Sequence, residues 1–358
     1  MNRQSSYFIG IMSGTSTDGV DASLIRIEPT AEQTVQLINT SSIDIPLSLR
    51  EIILRLNQSG LDELRIAAEV SLELARLYAE VTQTILLENG LVAEEINALG
   101  IHGQTVRHRP EHGYSIQLNA PALVAELTGI DVIADFRSRD IAAGGQGAPL
   151  IPAFHHAIFH DKHKARALLN IGGISNLSLL HPAQATTGFD CGPGNMLLDY
   201  WCQKHLGQRF DKDGRWAAQG EINQAMLNFF LSNEAWLQAA PPKSTGRDLF
   251  NGTWLEQKLA TFFELNPTVH SYKAEDIQAT LTAFTVSCIV DSLTRYASDT
   301  EELIVFGGGA ANPEIMRQLA RALPYTVLRS DALGIATQAM ESTAFAWLAW
   351  AFSCLLYT

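Results

Sequence analysis

The sequence predicts an α/β fold made of two related halves that face each other across a cleft. Apolar runs of strand length alternate with longer segments of helical spacing, which is typical of this fold class. Two glycine-containing hairpins, in residues 7–27 and 166–181, begin about 160 residues apart, and each precedes a helix-bearing segment. Two such hairpins alone could be coincidence, but a third glycine cluster between a strand and a helix, in residues 302–323, favours the repeat. We place the halves at 1–160 and 161–340, with 341–358 returning to the first.

The amino-acid composition limits the classes of protein to which this chain could belong. The 358 residues are 46% hydrophobic and 18% charged, an ordinary globular balance. A net charge of −13 argues against nucleic-acid or anionic-membrane surfaces, which recruit basic patches. Four scattered cysteines form neither a disulfide framework nor a metal-ligand spacing. No export signal opens the chain, so we expect a cytoplasmic protein. The apolar stretch 344–356 is shorter than the ~20 residues of a membrane span, and a docking helix is the better interpretation.

The first hairpin carries an unusual loop. Between its apolar runs lies SGTSTDG (13–19), which lacks the Gly-Lys-[Ser/Thr] ending of a P-loop and is not a G-x-G-x-x-G turn. Its backbone N–H groups and the hydroxyls of Ser13, Thr15 and Ser16 are suited to phosphate. Asp18 would repel that phosphate unless a divalent cation lies between them. The alternative is a polar turn in which Asp18 bonds its own backbone. The two hairpins and the glycine cluster favour a nucleotide site.

Spacing also predicts the supporting elements. Residues 61–88 have the period of a helix that Asn89-Gly90 ends, with a core face of Leu72, Leu74, Leu77 and Val81. Strands are expected at 98–101 and 130–134. Asn312 and Pro313 suit the N-cap and first position of a helix after the third glycine cluster.

Candidate chemical groups follow several of these strands. Asp190 precedes CGPGN on what we expect to be a rigid loop, before a helix that begins at Met196 and is capped by Asn195. Such a carboxylate is well held for a base, although a turn or capping role is the alternative.

Basic residues form the other candidates. Arg137 is suited to an anionic substrate group. His102 lies in a basic cluster with Arg107–Arg109, and these three neighbours are left open between anion binding and surface pairing. The segment Lys243–Arg247 is left open between anion binding and a polar loop. DKDG (211–214) lacks the ligand positions of a calcium loop and is rejected as one.

Eight motifs in order resemble the anhydro-N-acetylmuramic acid kinases, within the actin, Hsp70 and sugar-kinase superfamily. They are GIMSGTSTDGVD (10–21), HGQT (102–105), DFRSRDIAAGGQGAPLIPAFHH (135–156), NIGGISNLS (170–178), FDCGPGNMLLD (189–199), PPKSTGRDLF (241–250), VFGGGAANP (305–313) and MESTAFAWLAW (340–350).

The resemblance implies two actin/Hsp70-like (ribonuclease H-like) domains and an enzyme of bacterial peptidoglycan recycling. Such kinases use ATP and water to open the 1,6-anhydro ring, giving N-acetylmuramic acid 6-phosphate. It also implies Mg²⁺ and a homodimer. By position, Asp190 is the catalytic base and Asp18 the metal ligand. Nucleotide contacts are expected from Gly14, Thr15, Ser16, Thr17, Asp18, Gly19, Val20, Asp21, Gly172, Gly173, Asn176, Gly307, Gly308 and Gly309. Substrate contacts are expected from Arg137, His102, Gln104 and Glu341.

Two other functions compete with this one. A kinase of an ordinary sugar hydroxyl would use Asp190 to deprotonate that hydroxyl. A nucleotide-switched binding protein would resemble Hsp70 or actin, but we see no separate peptide-binding domain or long linker in the sequence.

Overall fold

The structure is a computed structural model that describes residues 6–14, 17–28, 34–246, 249–267 and 272–354. It divides into two compact units. The first runs to Phe154 and resumes at Ala339, and the second is His155–Gln338. The functional domains placed from the sequence, 1–160 with 341–358 and 161–340, stay a prediction.

The first unit is built on a five-stranded sheet with strand order β3-β2-β1-β4-β7. β1 pairs antiparallel with β2 and parallel with β4. Its strands are β1 (Ser6–Ser13), β2 (Gly19–Glu28), β3 (Thr34–Asp44), β4 (Ile96–Ile101) and β7 (Val132–Ala134), beside a two-stranded ribbon of β5 (Gln104–Arg109) and β6 (Tyr114–Leu118). Its helices include α1 (Leu47–Arg55), α2 (Glu63–Asn89), α3 (Pro121–Thr128) and α4 (Phe136–Ala142).

The second unit repeats this order as β10-β9-β8-β11-β12, again with an antiparallel hairpin followed by parallel strands. The strands are β8 (Arg166–Ile171), β9 (Ile174–Leu180), β10 (Thr187–Pro193), β11 (Glu302–Phe306) and β12 (Thr326–Arg329). Helix α5 (Pro152–Phe159) contains the boundary between the units, and α6 (Met196–Leu206), α7 (Gln224–Ser232), α8 (Gly252–Leu265), α9 (Ala274–Tyr296) and α10 (Pro313–Ala322) follow. The shared strand order confirms the prediction of two related α/β halves.

Local signals in the sequence fix several helix ends. Gly90 ends α2 in the left-handed conformation, with φ 63°. Asn312 accepts hydrogen bonds from the N–H groups of Glu314 and Ile315, which caps α10 as predicted. The strand expected from residue 130 begins only at Val132.

One predicted core residue is wrong. Leu72 is 42% exposed, whereas Val70, Leu74 and Tyr78 on the same helix are buried. The buried residues recur every four positions, and Leu72 lies two positions, about 200°, away from that stripe. The helical period alone therefore predicts a wider buried face of α2 than the structure has.

The last helix of the described chain, α11 (Met340–Ser353), packs on the first unit's sheet. Phe8, Ile25 and Ala98 of the sheet pack with Ala346 and Trp350 of the helix. The approach is close: a Cβ on Gly10 or Gly100 would lie 1.9 Å or 2.1 Å from backbone oxygens of α11. Glycine at these two strand positions is therefore what lets α11 lie against the sheet.

Helix α9 is the central helix of the second unit. Within the described part of the chain it is the one helix long and apolar enough to cross a membrane, but 78% of that stretch is buried inside the protein. Ile277, Leu281, Phe284 and Ile289 of α9 belong to the hydrophobic core of this unit. Burial in a core explains its apolar composition.

Candidate active site

The turn of the first hairpin is fixed by hydrogen bonds to its carbonyl groups. The Gly14 oxygen accepts from the Thr17 N–H at 3.0 Å and from Gln104 Nε2 at 3.2 Å. The Asp18 oxygen accepts from the Ile45 N–H at 3.0 Å. Thr15 and Ser16, two of the predicted phosphate ligands, lie outside the described residues.

Side chains around this turn have different environments. Ser13 Oγ lies 3.1 Å from the hydroxyl of buried Tyr78, so it is engaged from the core side. Val20 is fully buried in the core, which leaves its backbone as the group available to a ligand. Gly19 and Asp21 begin β2 beside it. The Asp18 carboxylate forms an ion pair with Arg50 Nη2 at 3.0 Å.

Three of the predicted substrate residues meet at the end of β4 and the starts of α4 and α11. Arg137 Nε donates to His102 Nε2 at 2.9 Å, and Arg137 Nη1 donates to the Gly147 oxygen at 2.5 Å. Burial, and then the charge of Arg137, hold the pKa of His102 well below its usual value. His102 is therefore neutral, with its proton on Nδ1.

Arg137 and Glu341 form the charged part of this group. Burial lowers the pKa of Arg137 to about 10, opposed by the charges of Glu341 and Asp140, so Arg137 remains a cation at neutral pH. Burial raises the pKa of Glu341, while Arg137 lowers it. Glu341 lies in the first turn of α11, which brings it from the far end of the sequence.

The neighbouring basic residues are engaged in surface contacts. Arg107 pairs with Glu63 at 3.2 Å and also donates to the Leu56 oxygen. Arg109 lies 4.0 Å from Glu111. For these two residues the structure therefore shows the pairing alternative.

In the second unit, three polar residues form a row across the sheet. Asp190 on β10 is opposite Asn176 on β9, which is opposite Asn170 on β8. The row continues to the glycine cluster, since a Cβ on Gly307 would lie 2.3 Å from Asn170 Oδ1. Gly307 has φ 81°, a left-handed conformation that favours glycine. Asn170 was not predicted as a site residue.

The turn of the second hairpin, Gly172–Gly173, is hydrogen-bonded to the segment that follows β10. The N–H groups of Gly194 and Asn195 donate to the Gly173 and Gly172 oxygens at 2.9 Å and 2.8 Å. Asn195 Nδ2 donates to the Ile171 oxygen at 3.1 Å. The predicted side-chain cap by Asn195 is therefore wrong, because its amide is committed to the hairpin, although α6 does begin at Met196.

The candidate base, Asp190, is held by the strand that carries it and by a later segment of the chain. Asp190 lies within strand β10 rather than on the loop we expected, because Phe189 and Cys191 on either side are buried and carry the strand onward. The Thr245 N–H donates to Asp190 Oδ2 at 2.8 Å, and the Ser244 side chain also hydrogen-bonds the carboxylate.

These contacts and burial set the acidity of Asp190. Burial raises its pKa to about 6, opposed by the Thr245 and Ser244 hydrogen bonds and the charge of Lys243. The segment Lys243–Arg247, for which we considered both anion binding and a polar loop, thus holds the Asp190 carboxylate. Arg247 lies outside the described residues. Nothing in the sequence PPKSTG (241–246) predicted that this segment would contact Asp190.

Metal-ligand clusters are not evident in the described part of the chain, where no group of three His, Cys, Asp or Glu side chains converges. Asp211, of the rejected calcium motif, accepts from the N–H groups of Trp216 and Ala217 and so has a structural role.

The family model described as anhydro-N-acetylmuramic acid kinase matches residues 6–355. The chain belongs to this family. It is 52% identical over 345 residues to the anhydro-N-acetylmuramic acid kinase of Bordetella petrii, covering 96% of this chain and 89% of that protein. It is 46% identical over 346 residues to the protein of that name from Chromobacterium violaceum, covering 96% and 92%. Among solved structures, the activator of 2-hydroxyisocaproyl-CoA dehydratase from Clostridium difficile matches with a TM-score of 0.48 and 12% identity, covering 98% of this chain and 96% of that one.

Membership confirms the family that the eight motifs indicated, and with it an anhydro-N-acetylmuramic acid kinase. The roles of the individual residues described above stay predictions.

Proposed function

We propose that this chain is an ATP-dependent kinase that opens the 1,6-anhydro ring of anhydro-N-acetylmuramic acid and phosphorylates O6. The products are N-acetylmuramic acid 6-phosphate and ADP, and the pathway is peptidoglycan recycling. The family match over residues 6–355 carries this proposal. Kinases of an ordinary sugar hydroxyl are the alternative, and no feature of the described residues favours them.

Asp190 is the proposed base, and the substrate determines what it acts on. An anhydro sugar has no free 6-hydroxyl, so Asp190 takes a proton from water instead. That water attacks C1, the C1–O6 bond breaks, and O6 attacks the γ-phosphorus as ADP leaves. A pKa of about 6 leaves the carboxylate mostly ionised at neutral pH and still able to accept the proton.

The two hairpin turns and the glycine cluster are the proposed nucleotide contacts. Backbone N–H groups at Gly14–Asp21 and Gly172–Gly173 suit the phosphates, and Gly307–Gly309 allow close approach of the nucleoside. Asn176 lies between the second turn and Asp190 in the sheet.

Mg²⁺ fits this donor set because it binds proteins through one or two carboxylates and keeps several waters. Asp18 would hold it, because its carboxylate is 41% exposed and could exchange its present cationic partner, Arg50, for the metal. The metal would neutralise charge on the transferring phosphoryl group.

The Arg137 group is the proposed sugar site. The Arg137 cation suits the lactyl carboxylate of the substrate. His102, Gln104 and Glu341 offer neutral and acidic hydrogen-bonding atoms for hydroxyl groups beside it.

Solution properties complete the proposal. We expect a cytoplasmic homodimer without affinity for nucleic acid or membranes, which the net charge of −13 supports. Light scattering measures the mass, and a monomer would contradict this part.

Isotope placement tests the reaction itself. With ATP, the anhydro sugar and ¹⁸O-water, mass spectrometry of the product is expected to show the label at C1 and none in the phosphate. Label in the phosphate would mean ATP hydrolysis by a different route. Absence of any 6-phosphate product would overturn the proposed function.

A further inference from the structure

Two side-chain amides near the sugar group have oxygen atoms with no donor. Gln117 Oε1 and Asn119 Oδ1 are buried and have no hydrogen-bond partner among the residues that the structure describes. Gln117 Nε2 donates to Thr105 Oγ1 at 3.2 Å and to Ser115 Oγ at 2.8 Å. Both N–H bonds of that amide are therefore used, and the unpaired group is specifically an acceptor.

Gly103 packs closely against these two residues. A Cβ on Gly103 would lie 3.1 Å from the Cβ of Gln117 and 3.3 Å from the Cβ of Asn119. Gly103 also has φ 80°. A larger residue at position 103 would push away the segment that carries the two amides.

Gly103 also connects these two residues to the proposed sugar site. Gly103 lies between His102, which accepts from Arg137, and Gln104, which donates to the first hairpin. Gln104 contributes a third buried amide oxygen without a partner in the described chain. Three unpaired acceptors thus occur within one ribbon.

Chemistry limits what could pair with them. A buried acceptor without a donor costs stability, so a set of three indicates donors that arrive with a ligand. Amide oxygens repel anions, and the group contains no carboxylate to attract a metal. Hydroxyl O–H and amide N–H groups are the donors that fit.

We propose that Gln117 and Asn119, separated by Gly103, form an acceptor cradle that recognises the hydroxyl and acetamido N–H donors of the amino sugar. The inference rests on the proposed function and assigns specificity to two residues beyond the predicted site. The cradle selects N-acetylated sugars over those that lack the N–H.

Gln117→Met and Asn119→Leu remove the oxygens with little change in volume. Each is expected to raise the KM for the sugar roughly ten- to hundredfold with the KM for ATP unchanged. Gln117→Met also loses the two hydrogen bonds that Nε2 donates, so its melting temperature is expected to fall, whereas that of Asn119→Leu is not. Gln278→Met is the matched control, since Gln278 is a buried amide whose side chain has no partner in the described chain and lies on α9. Unchanged sugar KM in both cradle variants would overturn the proposal.

Calorimetry separates this inference from the proposed function. Wild type is expected to bind 1,6-anhydro-N-acetylglucosamine more tightly than 1,6-anhydroglucose, because the two sugars differ only in the acetamido group and neither has the lactyl carboxylate, and the variants are expected to lose that preference. If wild type phosphorylates another N-acetylated sugar, the proposed function fails, yet loss of binding of that sugar in the variants still supports the cradle. If Asn119→Leu does not fold, Asn119→Asp retains an oxygen and is expected to bind the sugar while Gln117→Met does not; equal binding by both overturns the cradle.

Discussion

At the scale of single residues, the acidity of Asp190 is a balance between burial and the groups that hold it. Burial alone would push the carboxyl towards its neutral form, and the Ser244 and Thr245 hydrogen bonds oppose this. The resulting pKa of about 6 is low enough for Asp190 to be mostly ionised at neutral pH and high enough for it to accept a proton.

Ser244→Ala is expected to move the pH profile. Removing a hydrogen bond to the ionised form raises the pKa of Asp190 above about 6, so more of the base is protonated at a given acidic pH. The acid limb of kcat/KM should therefore shift to higher pH, with the plateau at high pH nearly unchanged. Ser232→Ala, whose hydroxyl bonds the Asn228 oxygen, is the control. An acid limb that does not move would contradict this account of the pKa.

Asp190→Asn keeps the size of the side chain and removes the base. We expect kcat to fall at least ~10²-fold, the lower end of what a positioned base contributes, while ATP binding survives. Steady-state kinetics and calorimetry with ATP measure the two effects. Near-normal turnover would remove Asp190 from the mechanism.

Sequence motifs located Asp190 but not the residues that hold it. Ser244 and Thr245 lie more than 50 positions further along, and one of their contacts is through a backbone N–H that any residue except proline could supply. Arg137 and His102 were both predicted, but their mutual hydrogen bond joins separate motifs and depends on how α4 packs. Residue type indicates chemistry, whereas partners across the fold depend on packing.

At the scale of elements, short-range signals were sufficient for hairpins and helix ends. Both glycine hairpins and the ends of α2 and α10 depend on neighbouring residues, and the sequence predicted them. The parallel pairing of β1 with β4 joins residues about 90 positions apart, and no local pattern specifies it. Asn195 was misread for a related reason, since its partner, Ile171, lies in the hairpin rather than in its own helix.

Gly194→Ala tests whether the second hairpin turn depends on its tie to the segment after β10. A Cβ on Gly194 would lie 2.3 Å from the Gly172 oxygen, so the turn must move. We expect about 1–3 kcal/mol loss of stability from overpacking, and weaker ATP binding.

Urea unfolding and calorimetry measure these two effects. Gly60→Ala is the control, because nothing lies within 4 Å of a Cβ there. Unchanged stability and ATP affinity in Gly194→Ala would show that the hydrogen bonds between the second hairpin and the segment after β10 do not fix the conformation of the turn.

At the scale of the whole molecule, the two units differ in how the chain builds them. The second is continuous, His155–Gln338, and its core is drawn from that segment alone. The first needs α11 from the far end of the chain, which covers Phe8, Ile25, Ile27 and Ala98 on one face of its sheet. Without that helix the face would be a large exposed apolar patch.

Separate expression of the two segments tests this asymmetry. Residues 155–338 are expected to be soluble and to unfold cooperatively, because their core is complete. Residues 1–154 are expected to aggregate, since the sheet face that α11 covers packs on no other helix among the described residues of that segment. Linking residues 339–358 to the C-terminus of 1–154 through a flexible linker should restore solubility, because the helix then supplies the missing layer. Removing only residues 355–358 from the full chain is the control and should change neither solubility nor melting temperature. Soluble, cooperatively folded 1–154 without the helix would show that α11 is dispensable to the first unit.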